Sequence, residues 1–294
     1  MQEQFIEKDF TEGTLAIINL CIDIIDEYMP QGLKLTLRQL YYQLVARGHI
    51  ENNIRSYNRI KSIVTDARMA GMIDWSAIED RTRNLVRLST WDSPSDIVYA
   101  CSSQFRIDRW GDQPYRPEVW IEKDALVGVI EGVCNKWRVP FFSCRGYTSI
   151  SEMYSAAKRL SSYIDSDQKP VIIHLGDHDP SGIDMTRDIF DRLETFTRGE
   201  GIHVSRIALN MPQIDRFNPP PNPVKLQDSR ATGYIRENGT NESWELDALD
   251  PSTMASLIEE AILKYLDQDA WSDSEQEETD GREALRKAAD QLCK

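Results

Sequence analysis

From Val119 onward, short apolar runs alternate with amphipathic stretches, and this alternation restricts the fold more than any other feature of the chain. Val119–Ile121, Pro140–Cys144, Pro170–Leu175 and His203–Leu209 read as strands. Ala125–Trp137, Ile150–Tyr163 and Ile183–Thr197 read as the helices between them. Such alternation gives a parallel sheet with helices on both faces, because each crossover helix must bury its apolar stripe. The expected class is α/β, with this domain over 118–266, including a last helix near 251–266.

The upstream pattern is different. Residues 11–29 carry apolar side chains at helical spacing, stopped by Pro30 and Gly32. Thr36 is a good N-cap for a second helix to Ala46, and a third is expected from Ile54 to Ala70, stopped by Gly71. The following stretch, 72–90, suits a short hairpin and turn. Three helices and a small β element predict an N-terminal winged-helix DNA-binding module over 1–90. Arg55 and Arg59, one turn apart on the third helix, would then face the DNA. Residues 91–117 read as a linker, and the Pro-rich 218–225 as a turn or extended segment. Residues 267–280 hold seven acids and no base, so 267–294 is expected to be a solvated, partly disordered tail.

Net charge is −14, which taken alone disfavours nucleic acid. The charge is uneven, however. Residues 33–87 hold ten Lys or Arg against five acids. Screening within about 10 Å lets a local basic face bind phosphate on an acidic protein. No charge-free apolar run is long enough to span a membrane, and the polar, acidic start is not a secretory signal. A cytoplasmic protein without membrane contact is expected. The five cysteines include no C-x-x-C pair, and only His174 and His178 lie close together. This argues for reduced thiols and against a zinc enzyme.

Three acids fall just past strand ends: Glu122 after the first strand, Asp177 and Asp179 after the third. Ligands of open α/β sheets bind outside the carboxyl ends of strands. Mg²⁺ takes hard oxygen ligands, usually one or two carboxylates with water and phosphate. Residues two apart in an extended segment point the same way, so Asp177 and Asp179 can face one ion while His178 turns away. Asp179 before Pro180 also has the makings of a helix N-cap.

Glu122-Lys123-Asp124 after a strand, Arg145-Gly146-Tyr147, and Asp177-His178-Asp179-Pro180-Ser181-Gly182 together resemble a Toprim domain. The resemblance is to topoisomerase VI A subunits and the related meiotic double-strand-break transesterases, and it spans roughly residues 33–260. It implies Mg²⁺ on Glu122, Asp177 and Asp179, with Lys123 and Arg145 beside the DNA. Trp244–Leu249 (WELDAL) is similar to a motif near the end of that family's Toprim region. Its Glu245 has no role that the sequence can assign, and a helix-capping carboxylate is equally compatible.

The same family carries a nucleophilic tyrosine after an Arg-acid-x-aromatic run. Here the run is Arg38-Gln39-Leu40-Tyr41-Tyr42, with Gln39 in place of the acid. Leu37, Leu40, Tyr41, Leu44 and Val45 follow a helical stripe, so Tyr41 is expected in the core and Tyr42 partly exposed. Arg38, one turn before Tyr42, is placed to favour phenolate and hold phosphate. The implied activity is Mg²⁺-dependent DNA cleavage by a homodimer, with Tyr42 as nucleophile and Arg38 supporting it. The resemblance further implies that the tyrosine of one protomer works with the metal of the other. Family members also engage a separate ATPase B subunit through an N-terminal extension, which is short here. A Toprim hydrolase without a covalent intermediate and a non-catalytic DNA-binding protein are the alternatives.

Overall fold

A computed structural model describes residues 3–78, 88–199 and 201–292. The chain opens with three helices, α1 (Glu12–Tyr28), α2 (Leu37–Ala46) and α3 (Ile54–Met69), followed by α4 (Pro94–Gln104). The α/β portion runs β1 (Tyr115–Ile121), α5 (Val127–Lys136), β2 (Phe141–Ser143), α6 (Ile150–Asp165), β3 (Lys169–Leu175), α7 (Pro180–Thr197) and β4 (His203–Ala208). Then come α8 (Met211–Phe217), β5 (Asn222–Pro223), α9 (Ala231–Asn238), β6 (Glu242–Ser243), α10 (Pro251–Leu263) and α11 (Gln268–Leu292).

The first four strands form one parallel sheet in the order β2–β1–β3–β4, as the alternation predicts. Side chains alternate between its faces with period two. Val119, Ile121, Val171, Ile173 and Leu175 pack with α5 and α10. Trp120 and Ile172 pack with Met153 and Leu160 of α6 and Ile189 and Leu193 of α7. Burial on both faces is why β3 reads as a nearly unbroken apolar run.

The N-terminal helices have a core of their own, built from Ile18, Ile24, Leu40, Leu44, Ile60 and Val64 among others. Gln39 completes a capping box at the start of α2. Its backbone N–H donates to Thr36 Oγ1 at 3.2 Å and its side chain accepts from Thr36 N–H at 2.8 Å. Leu35 bridges to Ile78 as an isolated parallel pair. The remainder of the hairpin expected over 72–90, with Arg81, Arg83 and Arg87, falls on 79–87, outside the described residues.

Two expectations change. The linker over 91–117 contains α4, capped by Ser93, and ends inside β1. The acidic tail forms the 25-residue helix α11, packed along α4. The reason is that one of its acids, Glu278, is buried against arginines while the other six of 267–280 stay exposed. Glu278, 1% exposed, accepts from Arg109, Arg138 and Arg282. Trp271 meets the rings of Trp110 and Trp137. Gly281 admits the Phe105 ring so closely that a Cβ there would lie 2.4 Å from it. Cys21, Cys134 and Cys144 are buried free thiols and Cys101 is exposed. Among the described residues no helix is long and apolar enough to cross a membrane.

Removing Glu278 takes away a carboxylate shared by three arginines, of which Arg138 and Arg282 stay partly exposed and Arg109 keeps Glu275. Glu278→Ala is expected to cost about 1.5–3 kcal/mol, read from denaturant unfolding. Glu283→Ala, on the exposed face of the same helix, should stay within about 0.5 kcal/mol of wild type. Equal effects of the two would show that the arginine cluster does not hold α11.

Candidate functional site

The carboxyl ends of β1 and β3 open into a cleft of about 640 Å³, lined by Lys123, Asp177, Asp179, Asn222, Glu245 and, from α2, Arg38. Its floor is the 176–182 turn, where each position has a physical reason. Gly176 is confined by Glu122 Oε2, Arg206 and His174, within 3.0–3.2 Å of where a Cβ would sit. His178 pairs by backbone with Trp244, N–H to carbonyl at 2.8 and 3.0 Å in the two directions. Its ring turns away from the cleft, Nδ1 lying 3.0 Å from the Leu209 carbonyl. Asp179 caps α7, Oδ1 accepting from Gly182 N–H at 2.6 Å, and Pro180 takes the first helical position. A Cβ on Gly182 would lie 2.2 Å from the Asp177 carbonyl oxygen.

Arg206, inside β4, holds this turn by its carbonyls. It donates to Gly176 O at 3.0 Å, Asp177 O at 2.6 Å, Leu209 O at 3.3 Å and Gly182 O at 3.0 Å. No clear signal in the sequence marked it, since β4 also carries His203 and Ser205. Burial drives its guanidinium down to about 10 against the raising charges of Glu122, Asp177 and Asp179.

The three predicted carboxylates line up around the turn but are engaged separately. Glu122 Oε2 accepts the Asp177 backbone N–H at 2.8 Å. Asp177 is buried, and its Oδ1 accepts from Leu246 N–H at 2.7 Å and from Lys123 Nζ at 2.9 Å. Asp179 serves as the helix cap, so the expected common orientation of Asp177 and Asp179 is replaced by a division of labour. Among the described residues no three such donors are already gathered as a metal cluster. What suits a divalent cation is the excess negative charge. Burial first, then the charges of Asp177 and Asp179, push the Glu122 carboxyl up to about 7, against the pull of Lys123 and the Asp177 N–H. Burial also raises Asp177, against the pull of Lys123.

Lys123 does not point into solvent. Its ammonium is enclosed by Asp177, Asp247 at 2.7 Å and Glu245 at 3.1 Å. Burial would lower its proton affinity, but these three carboxylates outweigh burial and raise it. Arg38 Nη2 meets the same Glu245 oxygen, and Arg38 Nε lies 3.8 Å from Asp247. Glu245 and Asp247 are thus part of the site; the sequence offered WELDAL without a role for either.

Tyr42 departs from expectation. It is 3% exposed, because α2 is covered on its second side by the 3-10 turn Leu246–Ala248 as well as by the N-terminal core. Its hydroxyl lies within the influence of Asn222 and Arg38, whose guanidinium is 5.8 Å from its ring centre. Burial, with the Glu245 charge, raises the phenol despite both partners. Tyr41 is buried as expected, its hydroxyl donating to Asn52 Oδ1 at 3.0 Å. Arg55 and Arg59 are exposed on α3 and line a separate shallow groove with His49 and Asn53. Arg145 is exposed, bonded to Asp124 at 3.2 Å, and does not line the cleft. No protein-family model and no curated protein matches the chain.

Glu122 gives a pH signature. Folded, its carboxyl keeps a proton to about 7, whereas the ordinary value is 4.5. The folded state binds more protons between these values, so this group makes stability fall as pH rises through that window. Comparing melting temperatures from about pH 4.5 to pH 7, wild type should lose ground to Glu122→Gln as pH rises. Parallel curves would remove Glu122 as the responsible group.

Proposed function

We propose that this chain is a Mg²⁺-dependent DNA-cleaving transesterase of the topoisomerase VI A-subunit kind, with a winged-helix module presenting DNA to a Toprim-type sheet. The observation that carries the reading is one cleft where Arg38, 5.8 Å from the Tyr42 ring centre, meets Asp177 and Asp179 of its own chain at the strand ends, in place of the exchange between protomers that the resemblance implies. Arg38 and Tyr42 share one turn of α2, and the two acids come from a turn more than a hundred residues later, so the cleft gathers cation, phenol and carboxylates at one opening.

In this reading the Tyr42 oxygen attacks a backbone phosphorus and the bond to the 3′ oxygen breaks. The phenol proton leaves to solvent, the 3′ oxygen takes one up, and a 5′-phosphotyrosyl link remains. Arg38 steadies the phenolate and the phosphate. Glu122, Asp177 and Asp179 would hold Mg²⁺, which supplies charge neutralisation for the phosphate in transit. Asp179 would leave its capping bond or share it. Arg55 and Arg59 contact phosphates along α3, with Arg145 as an outlying contact, and two protomers cut two strands. The burial of Tyr42 favours one competitor, a Toprim hydrolase in which water attacks and no adduct forms.

Supercoiled DNA incubated with Mg²⁺, then detergent, with and without protease, separates them. Wild type and Tyr41→Phe should give protein-linked 5′ ends; Tyr42→Phe should give none, and Asp177→Asn should cut at a small fraction of the wild-type rate. Mg²⁺-dependent cutting by Tyr42→Phe selects the hydrolase. Arg55→Ala with Arg59→Ala should weaken binding of every DNA sequence and lower its salt dependence. Unchanged binding by that variant moves the DNA face elsewhere.

A further inference from the structure

Glu245 stands where two cations from different parts of the chain meet. Its backbone is fixed: Trp244 is paired with His178, and Leu246 N–H is bound by Asp177. Only its side chain is free to reach the cleft, and there one oxygen takes both Arg38 Nη2 and Lys123 Nζ. Asp247 touches the same cations, but it is 2% exposed and stays with Lys123 as a permanent counter-ion. Glu245 lines the open cleft and its side chain keeps about a quarter of its exposure. Of the two carboxylates, it is the one an incoming anion can replace.

A carboxylate between a guanidinium and an ammonium offers what a phosphodiester offers: one negative charge on oxygens that accept from both. Beyond it lie Asn222 and Lys225, which also line the cleft. The Tyr42 ring lies beside that same Arg38, its centre 5.8 Å from the guanidinium. Whatever anion replaces Glu245 on Arg38 therefore arrives beside the phenol.

We propose that Glu245 is an internal stand-in for a DNA phosphate: its carboxylate fills the anion seat between Arg38 and Lys123 until a phosphodiester displaces it. This rests on the DNA-cleaving reading and assigns that reading its phosphate seat. With Glu245 seated, Arg38 is tied to the 244–249 segment. With phosphate seated, that one tie is exchanged for the substrate, whose phosphorus then lies beside the phenol, while the other bonds between the N-terminal helices and the sheet remain.

The test is duplex DNA binding by fluorescence anisotropy, metal-free so that nothing is cut, on wild type and Glu245→Gln. Removing a competing charge from a partly exposed pair should tighten binding roughly three- to tenfold. Arg38→Ala added to Glu245→Gln should abolish the gain. A purely structural tether predicts the opposite pattern: a lower melting temperature and equal or weaker binding, which would overturn the proposal. Inorganic phosphate provides the second arm. If wild type binds no duplex but Glu245→Gln binds phosphate more tightly than wild type does, the seat stands and the DNA reading fails. If wild type binds duplex and the variant gains nothing, the DNA reading stands and the seat fails. Should Glu245→Gln not fold, amide exchange on wild type decides. Duplex should speed exchange at 244–249, and slower or unchanged exchange there would overturn the proposal.

Discussion

The ammonium of Lys123 is the point on which the rest of the molecule closes. A buried lysine is costly unless carboxylates compensate it, and three do, from two separate segments. Asp177 comes from the turn after β3, and Glu245 and Asp247 from the segment after β6. Lys123 itself leaves β1. Through Glu245 the cluster also takes in Arg38 of α2, joining the N-terminal helices to the sheet. Tyr28 bonding to Asp250 and Asn52 donating to Asn222 Oδ1 at 3.1 Å add two further ties across the same boundary. The arrangement converts the desolvation of one cation into the positioning of four chain segments.

Under this cluster, Arg206 has a complementary task. Its guanidinium, with five N–H groups in a fixed fork, reaches four backbone carbonyls at once, some of which have a second donor as well. Together with the Asp179 cap on Gly182 N–H, this holds the turn in one conformation. The absence of Cβ at Gly182 lets α7 start directly beneath the Asp177 carbonyl.

Much of this was legible in the sequence. The four strands of the sheet, the helices between them and the three N-terminal helices all follow from periodicity, since each buries a regular face. Glu122, Asp177 and Asp179 were found because strand ends in parallel sheets collect at one rim. What escaped depends on contacts distant in sequence. The stripe argument left Tyr42 at the surface because a helix wheel knows one partner face, and α2 has two. Six of the seven acids of 267–280 are exposed as read, but the burial of Glu278 escaped because its arginines lie outside that window, two of the three more than a hundred residues upstream. Glu245 could not be assigned because its meaning comes from Arg38, 207 residues away.

The pairing of α4 with α11 has a consequence for how the chain comes into being. Residues 94–104 leave the ribosome long before 268–292, and Arg109 waits for a partner 169 positions later. Until then Trp110 and Trp137 lack Trp271, and α4 has no neighbour along its length. The sheet can assemble during synthesis, since its strands are consecutive apart from β2, but its outer flank closes only after the last helix is made. In that interval the nascent protein presents aromatic surface that the finished one hides. A folding helper would therefore find its purchase at this flank.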